Sequence, residues 1–390
     1  MSTYLACLST PTEIVRMAPL VHALKARGHS VHVLHNGLPT EAIDSLYGFF
    51  DMPPDTRISP LQKAPRLSHQ TAELISRLDT HLQQIAPDVV LVHGNSNCAL
   101  AGALAASYQD VPVAHIAAGW RSEGKTSFPE DMNSSLIDRM ARWHFPATPE
   151  ARQNLLGDGI APEQIHTLGS TVVDAAQWAR QRMARSCLKH LVPPDVMRFL
   201  RQHEHEQLLL VSAQQREHWG RPLQRMAAAV AGLLQLHPEL TVVWPLPASL
   251  QLRANVHMGL ACLPTEVHTR LCLTDPLPYP ALITLLEACQ FVMTDSGRLQ
   301  PEASALQKPV LILRERTERH SLAEAGGALM VGHMAHQIVE QASECLRDRL
   351  LLESMRLSES PFGDGMAAQR MADILSAQTE PRLPSQGLTA

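Results

Sequence analysis

Residues 4–34 read YLACLSTPTEIVRMAPLVHALKARGHSVHVL, and this stretch decides the fold class. Residues 4–8 form a short apolar run with the length of a buried strand. Residues 13–27 place apolar side chains at helical spacing, and Gly28 then suits a left-handed helix end. Residues 31–34 are a second apolar run. A strand, a helix and a strand in this order predict a βαβ unit in a parallel sheet covered by helices.

The alternation continues through the first half of the chain and starts again after Gly169. We therefore predict an α/β protein with two Rossmann-like, doubly wound domains facing a cleft. The predicted parts are an N-terminal domain at 1–170, a C-terminal domain at 171–365, a helix crossing back to the first domain at 366–378, and a flexible tail at 379–390. Ligands of such sheets bind beyond the carboxyl ends of the strands.

Composition narrows the class of protein. The 390 residues are 45% hydrophobic and 18% charged, with a net charge of -5. This balance argues against a sequence-independent nucleic-acid binder, which needs a basic surplus. No apolar run reaches the roughly 18 residues of a membrane span, and the N-terminus lacks a signal-peptide pattern. Seven scattered cysteines predict buried thiols in a reducing cytoplasm, without disulfides or zinc. We expect a cytoplasmic, two-domain protein without metal or cofactor.

The strongest local motif is Met293-Thr-Asp-Ser-Gly297, a predicted strand end that runs into a helix at 298–305. Ser296 and the amides of Gly297 and Arg298 then lie at a helix N-terminus, which suits phosphate, and Glu302 suits a ribose diol. An ordinary helix start with Asp295 or Ser296 as N-cap explains the motif equally well.

Three other segments follow predicted strands. The charged run at 314–320 lies past a strand, and Arg319 is the residue that we expect to line the cleft. The run His93-Gly-Asn-Ser-Asn-Cys98 suits either close approach of a ligand or an N-cap at Asn95 or Ser96. His115 fits a core histidine better than a catalytic one.

Taken together, these segments resemble the non-hydrolysing UDP-N-acetylglucosamine 2-epimerases over nearly the whole chain. The matching segments are Met17-Ala-Pro-Leu-Val-His-Ala-Leu24, Pro87-Asp-Val-Val-Leu-Val-His-Gly94, Ala118-Gly-Trp-Arg121, Pro129-Glu130, Asn133, Arg152-Gln-Asn-Leu-Leu156, Thr171, Val173-Asp-Ala175, Thr294-Asp-Ser-Gly297, Lys308-Pro-Val-Leu311, Thr317-Glu-Arg319 and Phe362-Gly-Asp-Gly365. The resemblance implies a glycosyltransferase-B-like fold, a homodimer and interconversion of UDP-GlcNAc and UDP-ManNAc without a redox cofactor. In that reaction UDP is eliminated across C1–C2 and re-added after the other face of C2 is protonated.

The sequence departs from the family's pattern where that reaction needs charge. Pro11 replaces an Arg, and Arg16 stands for a Lys. Asn95 and Ala117 stand where the family has an Asp and a Glu, and Ser134 replaces an Arg. Gln214 stands where the family has a His beside the UDP pyrophosphate, and Leu282 replaces an aromatic near the uracil. Among the family's acids Glu130 remains, and Glu123 is the nearest spare acid.

Losing one acid–base group costs about 10²–10⁴ in rate, so the usual mechanism is expected to be disabled. The retained UDP-side residues are Ser296, Gly297, Glu302 and Arg319, and Arg298 and Arg16 are further nucleotide-binding candidates. The favoured hypothesis is a catalytically impaired, UDP-sugar-binding or accessory protein in polysaccharide biosynthesis, with a protein partner. The alternatives are an active UDP-HexNAc 2-epimerase or UDP-sugar transferase with rearranged groups, and a structural partner subunit without ligand.

Overall fold

The computed structural model describes residues 1–58, 66–121, 128–185, 190–316 and 320–379. The chain divides into two compact units. The first comprises Met1–Ala175 together with the chain from Gly363, and the second comprises Ala176–Phe362. Each unit contains its own parallel sheet. The predicted tail beyond residue 379 lies outside the described residues.

The first unit is built on a six-stranded parallel sheet in the order β3-β2-β1-β4-β5-β6. The strands are β1 (Thr3–Leu8), β2 (Ser30–Asn36), β3 (Thr56–Ile58), β4 (Val89–His93), β5 (Val113–Ile116) and β6 (Trp143–Phe145). The helices up to residue 183 are α1 (Pro11–Ala26), α2 (Glu41–Phe49), α3 (Leu67–Ile85), α4 (Asn97–Tyr108), α5 (Glu130–Met140), α6 (Pro149–Gly157) and α7 (Thr171–Met183).

The opening βαβ unit forms as its sequence predicts. Strand β1 is buried almost throughout, since it pairs with β2 on one side and β4 on the other. Helix α1 buries one face on the sheet, including Ile14, Leu20 and Leu24. Gly28 then turns the chain with a φ of 81°, a left-handed conformation that glycine adopts without steric cost. The next strand is thereby brought back parallel to β1.

The second unit repeats this plan in the strand order β12-β11-β10-β7-β8-β9. Its strands are β7 (Gln207–Ser212), β8 (Leu240–Pro245), β9 (Leu271–Thr274), β10 (Phe291–Thr294), β11 (Val310–Ile312) and β12 (Ala328–Met330). Its helices are α8 (Pro194–Gln202), α9 (Arg221–Leu236), α10 (Leu250–Gly259), α11 (Tyr279–Ala288), α12 (Leu299–Ala305), α13 (His320–Glu324), α14 (Ala335–Arg347) and α15 (Arg349–Ser354).

Both sheets reverse their strand order at one point. In the first unit the reversal lies between β1 and β4, and in the second between β7 and β10. Doubly wound sheets bind ligands in the crevice that opens at the carboxyl ends of the two strands flanking such a switch point. The loops that follow these four strands are therefore the places to look for a site.

The last helix, α16 (Ala367–Gln378), packs in the first unit against α1. Arg27 at the end of α1 forms an ion pair with Asp373 at 2.6 Å. On strand β6, the buried Trp143 donates its indole N–H to the Gln378 side chain at 2.6 Å. The predicted return of a C-terminal helix to the first domain is confirmed.

No helix in the described part of the chain is long and apolar enough to span a membrane. The cysteines within the described ranges are free thiols, and four of them are buried: Cys7, Cys98, Cys289 and Cys345. Cys262 is exposed, which corrects the expectation that the thiols are buried, and Cys187 lies outside the described residues. Burial raises the pKa of the Cys7 thiol to about 12.

Candidate functional site

The loop after β1 is fixed by a capping box. The Thr10 hydroxyl accepts a hydrogen bond from the Glu13 amide at 3.2 Å. The Glu13 carboxylate, which is buried, accepts in return from the amides of Ser9 and Thr10 at 2.6 and 2.9 Å. Pro11 occupies the first helical position, where its missing N–H costs nothing. This segment, where the resemblance places a substrate-binding Arg, is a closed helix start.

The loop after β4 contains Gly94, Asn95 and Ser96. Gly94 has a φ of 65°, and the Ser96 hydroxyl caps α4 by accepting from the Ala99 amide at 3.0 Å. Of the two N-caps considered from sequence, Ser96 therefore fills the role. The Asn95 carbonyl accepts from the buried Asn133 side chain at 3.1 Å, which holds the first turn of α5 against this loop.

Glu130 is the first residue of α5, one turn before Asn133, and its side chain is exposed. A carboxylate near a helix start interacts favourably with the partial positive charge of the unpaired backbone N–H groups in that turn. Glu130, the acid of the resemblance pattern, thus lies on the helix whose Asn133 bonds to the Asn95 carbonyl. Glu123, the spare acid considered from sequence, lies outside the described residues.

Behind this loop, His93 ends strand β4 and is buried. Burial lowers the pKa of His93 well below the ordinary value, and the positive charge of Arg16 and that of His115 lower it further. Arg16, in the second turn of α1, is half-buried. The first unit therefore holds Arg16 and an uncharged His93 close together at its switch point.

The loop after β5 carries Ala117 in a left-handed conformation, with a φ of 60°. This conformation costs a residue with a Cβ about 1–2 kcal/mol, and strain of this kind clusters at functional sites. Two residues on, Gly119 has a φ of 74°, and a Cβ there would lie 2.2 Å from the Ala151 carbonyl oxygen. The loop is thus closely packed at Gly119, two residues after Ala117, whose side chain is a methyl group.

A buried ionic network supports that loop. His115, which is 0% exposed, places Nδ1 2.7 Å from Asp138 and Nε2 2.7 Å from the Gly94 carbonyl oxygen. Both ring nitrogens of His115 therefore face a hydrogen-bond acceptor. Arg121 donates to Asp138 at 2.9 Å and to Asp158 at 2.5 Å. The prediction that His115 is a satisfied core histidine is confirmed.

The pKa of Asp138 reflects this network. Burial by itself raises the pKa, but the charge of His115 and hydrogen bonds from His115 and Arg121 bring it below the ordinary value. Ser134, at the position of a family Arg, accepts from the Arg121 guanidinium at 3.0 Å. These charged groups are therefore committed to holding the loop in place.

In the second unit, the turn after β10 is formed by Thr294, Asp295 and Ser296. The Ser296 amide donates to the Thr294 hydroxyl at 2.9 Å, and the buried Ser296 hydroxyl accepts from the Arg298 amide at 3.3 Å. Helix α12 begins at Leu299, not at Arg298 as predicted. Its N-cap residue is Arg298, whose side chain makes no capping bond, so neither Asp295 nor Ser296 is the cap.

Asp295 joins this turn to the loop that follows β7. Its buried carboxylate accepts from the amides of Gln214 and Gln215, at 3.0 and 2.9 Å, and from the His218 ring at 2.9 Å. Gln214 itself is exposed, and its contribution here is the backbone N–H. Sequence reasoning missed His218, which lies 77 residues from its partner Asp295 and in no recognisable motif with it.

The remaining predicted residues lie along α12 and beyond it. Glu302 is half-buried on the helix, and Arg319 lies outside the described residues. Gln300 is 0% exposed, and neither polar atom of its amide has a hydrogen-bond partner in the described chain. In the parts of the chain that the structure describes, no three His, Cys, Asp or Glu side chains are grouped to hold a metal ion.

Two doubly wound sheets with polar loops at their switch points define a Rossmann-like protein of the two-domain, nucleotide-binding class. The chain belongs to the UDP-N-acetylglucosamine 2-epimerase family, whose sequence model matches residues 22–376. The UDP-N-acetylglucosamine 2-epimerase of Escherichia coli K12 is 32% identical over 381 residues, covering 95% of this chain and 97% of that protein. The family resemblance read from the sequence is confirmed.

Solved structures agree with the family. The UDP-GlcNAc 2-epimerase of Neisseria meningitidis, bound to UDP-GlcNAc, is similar with a TM-score of 0.85 and 27% identity, over 96% of this chain and all of that one. An S. aureus protein solved with UDP has a TM-score of 0.82 and 29% identity, over 98% and 99% of the two chains. These similarities and the two sheets confirm the predicted fold class of two Rossmann-like domains.

Proposed function

We propose that the chain binds a UDP-N-acetylhexosamine and acts on carbon 2 of its sugar as a slow 2-epimerase. The proposal is carried by the 32% identity to the Escherichia coli K12 UDP-N-acetylglucosamine 2-epimerase over 95% of this chain. The hydrogen-bonded turn at Thr294–Ser296 supports it. In this proposal Ser296, Gly297 and Glu302 bind the UDP part, with Arg298 and Arg319 as the nearby cations.

The proposed reaction removes the C2 proton, breaks the C1–O bond to UDP, and forms a glycal. Re-addition of UDP at C1, with a proton delivered to the opposite face of C2, gives the 2-epimer. Asn95 and Ala117 supply no carboxylate for either proton transfer, which predicts a rate about 10²–10⁴ below that of enzymes with such a group. Glu130 at the start of α5 is the acid that we assign to the remaining proton transfer.

The second candidate is a UDP-sugar-binding protein without turnover that serves as an accessory subunit in polysaccharide assembly. The same substitutions at Asn95, Ala117 and Gln214 favour it, because they leave the fold intact while removing charged groups. Homodimerisation and a protein partner belong to this candidate. Light scattering of the purified chain and affinity capture from the native host address these two points.

Incubation with UDP-GlcNAc in D₂O, followed by NMR and mass spectrometry, separates the two candidates. Deuterium at C2 together with UDP-ManNAc supports the slow epimerase, and Glu130→Gln is then expected to abolish the exchange. Calorimetric binding of UDP-GlcNAc without exchange over days supports the accessory protein. Absence of binding even at millimolar UDP and UDP-GlcNAc overturns both candidates.

The placement of UDP is tested with Ser296→Ala, and Ser304→Ala is the matched control. Both serines are buried, but Ser304 bonds to Ser360 at 2.9 Å at the far end of α12. We expect Ser296→Ala to weaken UDP binding and Ser304→Ala to leave it unchanged. Equal affinity in both variants contradicts the placement of UDP at this turn.

A further inference from the structure

His218 lies at the switch point of the second sheet. It ends a short 3-10 turn, Arg216–His218, in the loop that follows β7. The neighbouring loop across the switch point follows β10 and contains Asp295 and Ser296. A side chain between these two loops stands where doubly wound sheets bind their ligands.

One side of the His218 ring is fixed by Asp295. The Nδ1 atom lies 2.9 Å from the carboxylate, which also accepts from the amides of Gln214 and Gln215. The Asp295 carboxylate already accepts two backbone N–H groups, and it is also the acceptor in its hydrogen bond with the His218 ring. The Nδ1 atom of His218 is therefore the donor and carries a proton. Because Asp295 is 0% exposed and well bonded, it holds the imidazole in one orientation.

The other ring nitrogen, Nε2, has no hydrogen-bond partner among the residues that the structure describes. The nearest carboxylate oxygen, on Glu217, lies 3.8 Å away. That carboxylate is occupied by Arg314, which donates to it at 2.5 Å. The His218 side chain is 12% exposed, so the ring that Asp295 holds through Nδ1 is partly open to solvent.

The charge around Nε2 favours an anion. Arg314 cancels Glu217, and the exposed Arg298 starts α12 on the neighbouring loop. His333 lies beside His218, with 6.4 Å between the ring centroids, and is itself held by Glu315 at 3.2 Å. The remaining negative charges are Asp295, which accepts from three donors, and Glu315, which faces the ring of His333.

We infer that His218 is the diphosphate-binding residue of the second unit, and that its Nε2–H donates to a phosphoryl oxygen of the UDP-sugar. This inference rests on the proposed function and adds a residue that the family pattern does not assign. With Nδ1–H bonded to Asp295, Nε2 must take up a proton in order to donate. Binding of the nucleotide sugar is therefore coupled to proton uptake at His218.

A purely structural role for His218 predicts something different. A ring that only braces the loop against Asp295 stabilises the fold but changes neither the nucleotide affinity of folded protein nor its proton balance. The substitution His218→Asn separates the two roles, because its amide N–H can still donate to Asp295 while Nε2 is removed. His333→Asn is the matched control, since it removes the neighbouring imidazole of the same cluster.

The experiment is titration calorimetry of UDP-GlcNAc at pH 8 in two buffers with different ionisation enthalpies. UDP-GlcNAc is the probe because its diphosphate diester has no proton that titrates near this pH. We expect the unsubstituted chain and His333→Asn to bind UDP-GlcNAc with the same affinity and with a heat that depends on the buffer, as proton uptake on binding requires. We expect His218→Asn to lose this uptake and to bind about tenfold or more weakly, as for loss of a hydrogen bond to a charged group.

Circular dichroism and uridine binding by NMR accompany the titrations. Uridine lacks the diphosphate, so its binding to folded His218→Asn should equal that to the unsubstituted chain. Unchanged UDP-GlcNAc affinity and proton uptake in His218→Asn overturn the inference while leaving the proposed function in place. If the unsubstituted chain binds no UDP-GlcNAc, the proposed function fails and the inference fails with it. Uptake lost in His333→Asn instead also overturns it.

Discussion

The two units share one strand order, yet the loops at their switch points differ in chemistry. In the first unit, the half-buried loop positions 95 and 117 hold an amide at Asn95 and a methyl group at Ala117, while charged groups form the buried pair His115–Asp138. In the second unit, the buried Asp295 instead orients a ring that is partly open to solvent. The same sheet geometry thus supports one set of loops whose charged groups are bonded to one another and another set in which we propose a ligand site.

This difference teaches that shape and reactivity are encoded by separate residues. The first unit keeps the left-handed backbone at Ala117 and the ionic network beneath it, although the side chain at that position is small. Restoring chemistry should therefore require side chains and not a new backbone. The following predictions test this contrast, from the largest expected effect to the smallest.

The first prediction restores carboxylates with Asn95→Asp and Ala117→Glu together. Because the backbone at both positions is already shaped and Glu is no more strained than Ala at a φ of 60°, we expect C2 deuterium exchange to rise by about 10²–10⁴. The measurement is NMR of UDP-GlcNAc in D₂O. The rate effects of acids that act together in one reaction are non-additive, so each single substitution should give less than half of the gain in log rate.

The control for that experiment is the single substitution Ala117→Gln, with Asn95 left unchanged. It has the shape of Glu without an ionisable group and should leave exchange at the level of the unsubstituted chain. If exchange stays flat in the double variant while UDP-GlcNAc still binds, the contrast between intact shape and lost chemistry is wrong for the first unit.

The second prediction concerns the network under that loop. Asp138→Asn removes the negative charge between His115 and Arg121 and turns an amide NH2 toward one of these two donors, and removing one partner of a buried ionic pair costs about 3–5 kcal/mol. Urea unfolding followed by circular dichroism gives the free energy. Asp158→Asn is the control, since this partner of Arg121 is 41% exposed and should cost under about 1 kcal/mol. Equal losses in both variants speak against a structural role for the buried pair.

The third prediction uses pH to separate the units. Histidines whose pKa is lowered lie in the first unit, and they are His29, His35, His93, His144 and His166. For His93, burial and Arg16 lower the pKa in the folded state, so the unfolded chain binds a proton first as the pH falls. Stability is then lost below about pH 6.5, at up to about 1.4 kcal/mol per pH unit for each such proton.

Urea titrations at pH 7.5, 6.5 and 5.5 measure this loss, and His93→Gln should make the slope shallower. Hydrogen exchange at the same pH values assigns the loss to a unit, and amides of the first unit should lose protection first. A slope that His93→Gln does not change, or a loss confined to the second unit, contradicts the prediction.

The smallest expected effect is at the start of α1. Thr10→Ala removes one half of the capping box and should lower the unfolding free energy by about 0.5–2 kcal/mol. Thr12→Ala, two residues on, removes a hydroxyl with no side-chain hydrogen bond in the described chain and should change it by under about 0.5 kcal/mol. Thermal unfolding compares them. Equal unfolding midpoints for the two variants would mean that the capping box of Thr10 and Glu13 does not stabilise the loop after β1.

Much of the fold was accessible from the sequence because its signals are local. The predicted strand at 4–8 is β1 with one residue added at its start, and the predicted helix at 13–27 is α1, which begins two residues earlier and ends one residue earlier. Helix α3 was not predicted, since its buried residues Leu74, Leu78 and Leu82 form a narrow stripe on a polar helix. The order of strands in each sheet depends on pairing between distant segments, which no local pattern records.

The candidate site was accessible only in part, for the same physical reason. The serine turn at Ser296 and the small residues at Gly94–Ser96 follow strands directly, so their place at the sheet edge could be predicted. The spacing Thr10-x-x-Glu13 is a capping box that was readable from sequence. His218 was not readable, because its role comes from Asp295, whose strand pairs with β7 only in the folded sheet.

The returning helix α16 has a consequence for how the chain folds as it leaves the ribosome. Strand β6 of the first unit has its buried Trp143 bonded to Gln378, and the Tyr4 hydroxyl on β1 bonds to Thr379. The first unit therefore stays incomplete until residues 367–379 have been synthesised, whereas all residues of the second unit, up to Phe362, emerge earlier. The unit whose strands are synthesised first is thus completed after the other one, and loss of helix α16 would remove contacts to β1 and β6.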